Sequence, residues 1–362
     1  MKFVLTTPYG LESLASKELK KLGYNPVSST GMVFFDGKKE SIPNVNINSR
    51  IGNKLYLEIG SGSVEKFQDL FELVDSVDWK KYILSGQSVL VNANTKNSTI
   101  TSIPAIQKAG KKGIIKSLVG ENYMKEEADS QQIEVFIFID NNVGKIYLNT
   151  TGEGLFKRGY KKHFSEAGLK ENVAAGLILL AGWKFSDSFY DLFCGAGTIP
   201  IEAAMIAKNI APGLFRNFAF ESFDWFDEAL LKKEKELAES RIFTRNYNIF
   251  GFDVDSSMID FAKKNAKNAG VEADISFAKK DFLEFDCSKL QGTILSNPPY
   301  GIRLTNFDTK NLHKKLARCL IDNNNVNGGF FTVYEDDFLN NSSFKKKKMF
   351  NGQQKAWFYK KN

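Results

Sequence analysis

The sequence is poor in the residues that usually bind metals or form disulfide frameworks. It has three widely separated cysteines, Cys194, Cys287 and Cys319, and two histidines, His163 and His313. No CxxC pair occurs, and neither histidine has a cysteine or carboxylate at metal-ligand spacing. A metalloenzyme or a histidine-based triad is therefore not expected. The odd, scattered cysteine set predicts no disulfides and a reducing, cytoplasmic compartment.

Long apolar segments are also missing. The longest smooth apolar run, residues 173–183, is too short to span a bilayer, and the N-terminus MKFVLTTPYG has no signal-peptide core. We therefore expect a soluble protein with no membrane partner. The 362 residues are 43% hydrophobic and 25% charged, which is typical of a globular protein with more than one folding unit.

Positive charge is concentrated near the end of the sequence. The formal net charge is +7, and residues 341–362 contain seven lysines and no acidic residue, so the rest of the chain is neutral. These lysines are Lys345, Lys346, Lys347, Lys348, Lys355, Lys360 and Lys361. They indicate either an anionic partner or an edge strand whose charges prevent pairing with another chain.

The first 150 residues carry two α+β patterns. Over residues 1–60 we predict strands at 3–6, 32–35 and 55–59 and a helix at 10–22. Over residues 61–150 we predict helices at 67–74 and 103–118 and strands at 88–94, 133–139 and 145–149. The long helix carries Lys108, Lys112 and Lys116 on one face, which is either a solvated face or one that follows phosphates.

A basic, glycine-rich connector at residues 151–170 leads into a region where strands and helices alternate. We predict strands at 189–192, 249–252, 275–278 and 292–296, with helices beginning near residues 172, 199 and 256. Such alternation is typical of an α/β fold with a mostly parallel sheet. Asn351 and Gly352 predict a turn between two final strands, so we expect an antiparallel hairpin to close the sheet.

The segment DLFCGAGTIPIEAA, residues 191–204, reads as a strand, a glycine-rich turn and the start of a helix. Gly195 and Gly197 let the main chain approach a ligand closely. Pro200 suits the first helical turn and stands where a dinucleotide-binding GxGxxG pattern has its third glycine. The missing third glycine therefore argues against NAD as the cofactor.

Two further strand ends carry carboxylates. Asp253 ends the strand IFGFD, where a carboxylate can accept hydrogen bonds from a ribose diol, and Asp255 is a candidate helix cap. Asp281 and Phe282 follow the next strand. They are candidates for an adenine amine and ring, although a surface turn with a core phenylalanine fits the same residues.

The segment Asn297-Pro298-Pro299-Tyr300 directly follows an apolar strand. Two prolines fix the main chain and donate no N–H groups, so the Asn297 side-chain oxygen and the Pro298 carbonyl are acceptors at one point. An exocyclic amino group has two N–H donors that match them. Tyr300 can stack on a flipped-out base.

In this order, the motifs resemble those of class I S-adenosylmethionine-dependent amino-methyltransferases. The segments GLFKRGY (154–160), LKEN (169–172) and IAKNIAPG (206–213) are similar to bacterial 23S rRNA guanine-N2 methyltransferases with a THUMP domain. In particular, they resemble the N-terminal half of the bifunctional large-subunit enzyme. The resemblance implies a Rossmann-like methyltransferase domain at 171–362, a ferredoxin-like unit at 1–60 and a THUMP-like RNA-binding domain at 61–150.

The resemblance also implies a function and a site. It implies methylation of the N2 amine of a guanine in 23S rRNA, with RNA as partner, S-adenosylmethionine as cofactor and no metal. The implied cofactor-binding residues are Asp191, Cys194, Gly195, Gly197, Thr198, Asp253, Asp281, Phe282, Asn297 and Asn172. The implied catalytic residues are Asn297, Pro298, Pro299 and Tyr300. A tRNA guanine-N2 methyltransferase and a DNA adenine-N6 methyltransferase are the alternatives, since NPPY occurs in DNA methylases too.

Overall fold

The computed structural model describes residues 1–120, 132–161, 168–299, 306–340 and 342–362, which contain two mixed sheets of seven strands. The strands are β1 (Lys2–Thr6), β2 (Val27–Ser29), β3 (Met32–Asp36), β4 (Lys54–Ser63), β5 (Ser88–Lys96), β6 (Gln132–Asp140), β7 (Val143–Asn149), β8 (Phe189–Asp191), β9 (Ile249–Asp253), β10 (Ile275–Lys279), β11 (Gly292–Ser296), β12 (Val326–Thr332), β13 (Phe344–Asn351) and β14 (Gln354–Lys361). The helices are α1 (Glu12–Lys21), α2 (Ser41–Asn48), α3 (Phe67–Asp75), α4 (Ile103–Val119), α5 (Glu171–Ala181), α6 (Thr198–Ala207), α7 (Glu228–Ser240), α8 (Ser256–Asn268) and α9 (Asn306–Ile321).

The N-terminal sheet has the order β2-β3-β1-β4-β7-β6-β5. Its strand pairs are antiparallel except for the parallel pair β5 and β6. The pairing of β4 with β7 joins strands from the two regions that the sequence separates at residue 60. Asn141 and Asn142 have positive φ angles of 50° and 60°, so they form the tight turn that joins β6 to β7.

The C-terminal sheet has the order β10-β9-β8-β11-β12-β14-β13. β8 to β12 are parallel, whereas β14 and β13 form the predicted antiparallel hairpin. The α/β architecture expected from the alternating pattern is therefore confirmed. The strand order reverses between β8 and β11, and a sheet of this kind binds ligands in the crevice outside that reversal.

A buried ionic network joins the two sheets through the connector. Arg158, only 3% exposed, donates to the main-chain oxygens of Arg50 (2.6 Å) and Leu155 (2.5 Å) and lies 3.5 Å from Glu202 of α6. The Tyr160 hydroxyl donates to Glu202 over 3.2 Å. Breaking a buried ion pair of this kind costs about 3–5 kcal/mol, so the network fixes the connector against α6.

The structure corrects the expectation about cysteines. Cys287 and Cys319 form a disulfide with a Cα–Cα distance of 5.4 Å, and Cys194 is a buried free thiol. The two paired cysteines are 32 residues apart in the chain and meet because α9 packs beside the loop that follows β10. Spacing without a CxxC pattern did not reveal this long-range contact, so the prediction of no disulfide was wrong.

The described part of the chain contains no helix that is both long and apolar enough to cross a membrane.

Candidate active site

A cleft of about 1830 Å³ opens at the carboxyl ends of β8, β9, β10 and β11. One wall belongs to the C-terminal sheet, and the opposite wall is formed by the connector and by strands β4, β6 and β7 of the N-terminal sheet. The predicted site residues in its wall are Asp191, Cys194, Gly195, Thr198, Asp253, Asp281, Phe282, Asn297 and Pro299. The cleft therefore brings together motifs that are up to about a hundred residues apart in sequence.

The glycine-rich turn connects β8 to α6 at the base of the cleft. Gly195 and Gly197 have positive φ angles of 50° and 87°, a backbone conformation that glycine adopts without strain. A Cβ atom added to Gly195 meets nothing within 4 Å, whereas one added to Gly197 meets the Cβ of Ala262 at 3.0 Å. Gly195 thus leaves open space beside the chain, and Gly197 lets α6 pack closely on α8.

Asp191 ends β8 and is 1% exposed. Its carboxylate accepts the main-chain N–H of Phe193 over 3.1 Å and also hydrogen-bonds the Ser296 side chain. Burial nevertheless raises the pKa of Asp191 to about 7, because the two hydrogen bonds do not replace the lost water. A carboxyl group that titrates near neutral pH therefore lies in the wall of the cleft.

Asp253 and Asp255 have different surroundings at the end of β9. Asp253 accepts the N–H groups of Gly195 (2.9 Å) and Asp255 (3.0 Å), so it ties β9 to the glycine turn while still lining the cleft. Asp255 caps α8 by accepting from the main chain and hydroxyl of Ser257, as the alternative for this residue predicted.

Asp281 and Phe282 follow β10 at the far end of the cleft. Asp281 accepts the N–H of Leu283 over 2.8 Å, and Phe282 is 3% exposed with its ring 4.8 Å from that of Phe193. Phe282 therefore belongs to the hydrophobic core as well as to the wall of the cleft.

Asn297 follows β11 on the opposite side of the strand reversal from the glycine turn. Its Oδ1 atom is buried, and none of the described residues donates a hydrogen bond to it. Pro298 is buried and Pro299 is exposed in the cleft, whereas Tyr300 lies outside the described residues. A buried carbonyl oxygen without a donor costs about 1–3 kcal/mol, so this atom can accept a hydrogen bond from a ligand in the cleft.

Asn172 does not line the cleft, and its role in binding the cofactor stays a prediction. This residue is completely buried outside the wall of the cleft, where its Nδ2 donates to the oxygens of Ile51 (3.3 Å), Gly52 (3.2 Å) and Asn53 (2.8 Å). It fastens the start of α5 to the loop before β4. Lys170 and Glu171, the two residues before it, do line the cleft.

Sequence analysis singled out the connector segments of the wall that faces the C-terminal sheet, but not the residues that β4, β6 and β7 contribute to it. Glu134 accepts hydrogen bonds from Lys54 (2.5 Å), Tyr56 (2.8 Å) and Asn149 (2.9 Å) at the edge of the cleft. Arg216 donates to main-chain oxygens of the connector, including that of Gly154 at 2.7 Å. Arg216 lies three residues after the segment at 206–213, which is a local signal that could have identified it.

No group of three potential metal ligands occurs in the ranges that the structure describes. The buried His313 instead bonds to the Thr309 main-chain oxygen (2.8 Å) and the Thr332 hydroxyl (2.9 Å), and burial lowers the pKa of its imidazole to about 4.

Comparison with known domain families gives two matches. Residues 158–358, more than half of the chain, match the RMKL-like methyltransferase domain. Residues 2–56 match the RlmL ferredoxin-like domain.

Two curated relatives are similar over most of the chain. YpsC of Bacillus subtilis (strain 168), an inferred RNA methyltransferase, is 33% identical over 83% of this chain and 79% of its own length. The ribosomal RNA large subunit methyltransferase K/L of Buchnera aphidicola is 32% identical over 84% of this chain. That match covers 45% of the Buchnera protein, so the chain corresponds to less than half of it.

Solved structures share the whole architecture. SMU.472, an inferred methyltransferase in complex with SAH, is 33% identical over 99% of this chain and 97% of its own, with a TM-score of 0.87. A protein from Listeria monocytogenes, described as a predicted N6-adenine-specific DNA methylase, is 30% identical over 100% and 96%, with a TM-score of 0.89. TrmN from Thermus thermophilus shares the fold at 17% identity, with a TM-score of 0.71 over 100% and 99%.

Proposed function

Because the chain belongs to the RMKL-like methyltransferase family, as its motifs predict, we propose that it methylates the exocyclic N2 amine of a guanine in 23S rRNA. The methyl donor of this family is S-adenosylmethionine. The observation that carries the choice of an amine is the Asn297 Oδ1 atom, which is buried and has no donor among the described residues. The choice of 23S rRNA rests on the similarity to the K/L enzyme of Buchnera.

The cleft fits the cofactor by its shape and by its donor set. The open space beside Gly195 admits the methionine portion, and Asp191, Cys194 and Thr198 complete that end of the pocket. Gly197 does not line the cleft; it allows the turn to pack on α8. Asp253 retains free lone pairs for a ribose diol, because each of its oxygens accepts only one main-chain N–H. Asp281 and Phe282 line the cleft beside the place that we propose for the adenine.

When bound, S-adenosylmethionine supplies a methyl group carried on a sulfonium sulfur. The chain's own part is to orient the accepting nitrogen. The Asn297 Oδ1 atom and the Pro298 carbonyl accept its two N–H groups, which draws the hydrogens out of the base plane and frees the nitrogen lone pair for in-line attack. Asn297 does not titrate at neutral pH, so the displaced proton leaves to solvent. Pro299 and Tyr300 then hold the base against Asn297.

We also propose that residues 1–60 and 61–150 serve as a ferredoxin-like unit and a THUMP-like RNA-binding domain, with residues 151–170 as connector and 171–362 as the catalytic domain. The support is the position of Lys54, Glu134 and Asn149, which place the N-terminal sheet in the wall of the cleft. A polymer that inserts one base beside Asn297 must pass this wall.

The proposal is tested by methyl transfer from labelled S-adenosylmethionine to protein-free 23S rRNA, bulk tRNA and unmethylated duplex DNA, followed by nucleoside analysis. We expect N2-methylguanosine in 23S rRNA alone, and no transfer by the Asn297→Ala variant. If N2-methylguanosine appeared in tRNA alone, the proposed substrate would be tRNA and not 23S rRNA. N6-methyladenine in DNA would overturn the RNA assignment but retain the role of Asn297.

A further inference from the structure

The terminal hairpin ends at the same edge of the C-terminal sheet as the active site. Trp357 of β14 pairs with Thr332, the last residue of the parallel strand β12. Lys348 of β13 in turn pairs with Trp357, so the hairpin turn extends past the carboxyl ends of the parallel strands. β14 lies two strand spacings, about 10 Å, from the strand that leads into Asn297.

The lysines of this hairpin divide between its two faces. Because side chains alternate along a strand, Lys346, Lys348 and Phe350 share one face, whereas Lys345, Lys347 and Met349 share the other. On the first face the paired residues of β14 are Tyr359, Trp357 and Lys355. We call the set Lys346, Lys348, Phe350, Lys355 and Trp357 the lysine–aromatic face.

Aromatic rings fix the ammonium groups of the lysine–aromatic face. The Lys355 Nζ atom lies 4.5 Å from the Trp357 ring centroid, and the Lys348 Nζ atom lies 5.7 Å from that of Phe350. Phe350 is itself held by Tyr9 of the N-terminal region, with 5.3 Å between ring centroids. These contacts restrict the long lysine side chains before a ligand arrives. Binding a ligand therefore costs less conformational entropy than it would for unrestrained lysines.

The charges on Lys348 and Lys355 are available to a ligand. Both residues are exposed, and neither has a carboxylate within ion-pair distance among the described residues. Lys346 differs, because its Nζ atom lies 2.5 Å from a Glu335 carboxylate oxygen, which neutralises it. Lys348 and Lys355 thus provide two cations without a direct ion pair beside the edge at which the target base enters, with Glu335 interacting with Lys355 only at longer range.

We propose that Lys348 and Lys355 bind phosphate groups of the RNA strand next to the methylated nucleotide. This inference rests on the proposed RNA substrate and adds to it a second contact surface outside the cleft. Protection of an edge strand explains lysines on either face of β13 equally well. It does not explain why the lysine–aromatic face alone carries rings that hold its cations.

The test compares two double variants with the same loss of charge. Lys348→Ala/Lys355→Ala removes the proposed phosphate contacts, whereas Lys345→Ala/Lys347→Ala removes two lysines from the opposite face of β13. Affinity for protein-free 23S rRNA is measured by filter binding over about 0.05–0.3 M salt. We expect the slope of log affinity against log salt to fall by about two for the first variant and to stay near wild type for the second.

Cofactor affinity, measured by calorimetry, controls for folding and is expected to match wild type in both double variants. Equal slopes in the two variants would overturn the proposal, whether both slopes fall or neither does. The proposed function fails independently if wild-type protein methylates no RNA. In that event, a difference in slope between the variants still supports an RNA phosphate contact at Lys348 and Lys355.

Discussion

The cleft has a proposed cofactor end, at the glycine turn, and a proposed transfer end, at Asn297. The two ends differ in how many hydrogen bonds their polar groups receive from the protein itself. At the cofactor end, Asp191, Asp253 and Asp281 each accept at least one main-chain N–H group. At the transfer end, the Asn297 Oδ1 atom is buried and accepts from none of the described residues. The carboxylates at the first end are therefore held by the main chain, whereas the Asn297 oxygen has no donor among the described residues. Under the proposed function, an amine of the substrate would supply that donor.

Replacing Asn297 by alanine tests this difference most directly and is expected to have the largest effect. We expect kcat on RNA to fall by about a thousandfold or more, because a positioned acceptor of the reacting amine is lost. Cofactor affinity should change by less than about threefold, since the cofactor end holds itself together. Steady-state kinetics and calorimetry measure the two quantities. Asn297→Asp, which keeps one carbonyl-like oxygen, should retain more activity than alanine.

If Asn297→Ala weakened cofactor binding as strongly as it lowered kcat, Asn297 would contribute to cofactor binding as well as to methyl transfer.

The disulfide joins two chain segments that follow the two ends of the cleft in sequence, although neither cysteine lines the cleft itself. Cys287 follows the Asp281 loop, and Cys319 lies on α9, which comes after Asn297 in the chain. Removing a disulfide that closes a 32-residue separation should lower the free energy of unfolding by about 4 kcal/mol. Urea unfolding of Cys287→Ser/Cys319→Ser measures this loss. Wild type kept in dithiothreitol should match the variant, and Cys194→Ser serves as the unlinked control.

Unchanged stability in the double variant would mean that packing alone holds α9 against the loop that follows β10.

The two glycines of the turn are expected to have different roles. Substituting Gly197 should mainly affect stability, whereas substituting Gly195 should mainly affect cofactor binding. Gly197→Ala should lower the free energy of unfolding by about 2 kcal/mol, because its φ angle is 87° and its new Cβ atom meets Ala262 at 3.0 Å. Gly195→Ala has open space around its Cβ atom, so we expect it to cost about 1 kcal/mol. Its main effect should be weaker cofactor binding. Thermal unfolding and calorimetry on both variants distinguish these effects.

The pH dependence of cofactor binding should show the smallest effect. Burial raises the pKa of Asp191 to about 7, and a bound sulfonium or amine cation favours the ionised carboxylate. Cofactor affinity should therefore rise about tenfold between about pH 6 and pH 8. Stability without cofactor should change in the opposite direction, because between about pH 4 and pH 7 the folded protein binds a proton that the unfolded chain has released.

Asp191→Asn should flatten both pH profiles. A profile of the same slope in this variant would assign the titration to another group.

The sequence predicted those parts of the fold that local patterns determine. β11 was placed at its observed bounds because an apolar run precedes two prolines, and the turn between β6 and β7 followed from two asparagines. α2 was missed because SIPNVNIN contains a proline and three asparagines, residues of low helix propensity. It is stabilised instead by burial of Ile42, Val45 and Ile47, which depends on tertiary contacts.

The candidate site was predictable where one motif supplies both the element and the side chain. The glycine turn, Asp253 and Asn297 meet in one cleft because the carboxyl ends of parallel strands share one edge. Glu134 and the Cys287–Cys319 pair could not be predicted in the same way. Their partners are distant in sequence and carry no spacing pattern, so only the folded chain brings them together.

The pairing of β4 with β7 also determines when the N-terminal sheet can be completed during synthesis. β4 ends at Ser63 and β7 begins at Val143, a gap of 80 residues. At about 5–20 residues per second, a ribosome needs roughly 4–16 s to make this segment. During that time the outer edge of β4 lacks its neighbour. The last four residues of β4, GSGS, have low β propensity. Half of the edge that later pairs with β7 is therefore poorly suited to pairing with a strand of another chain.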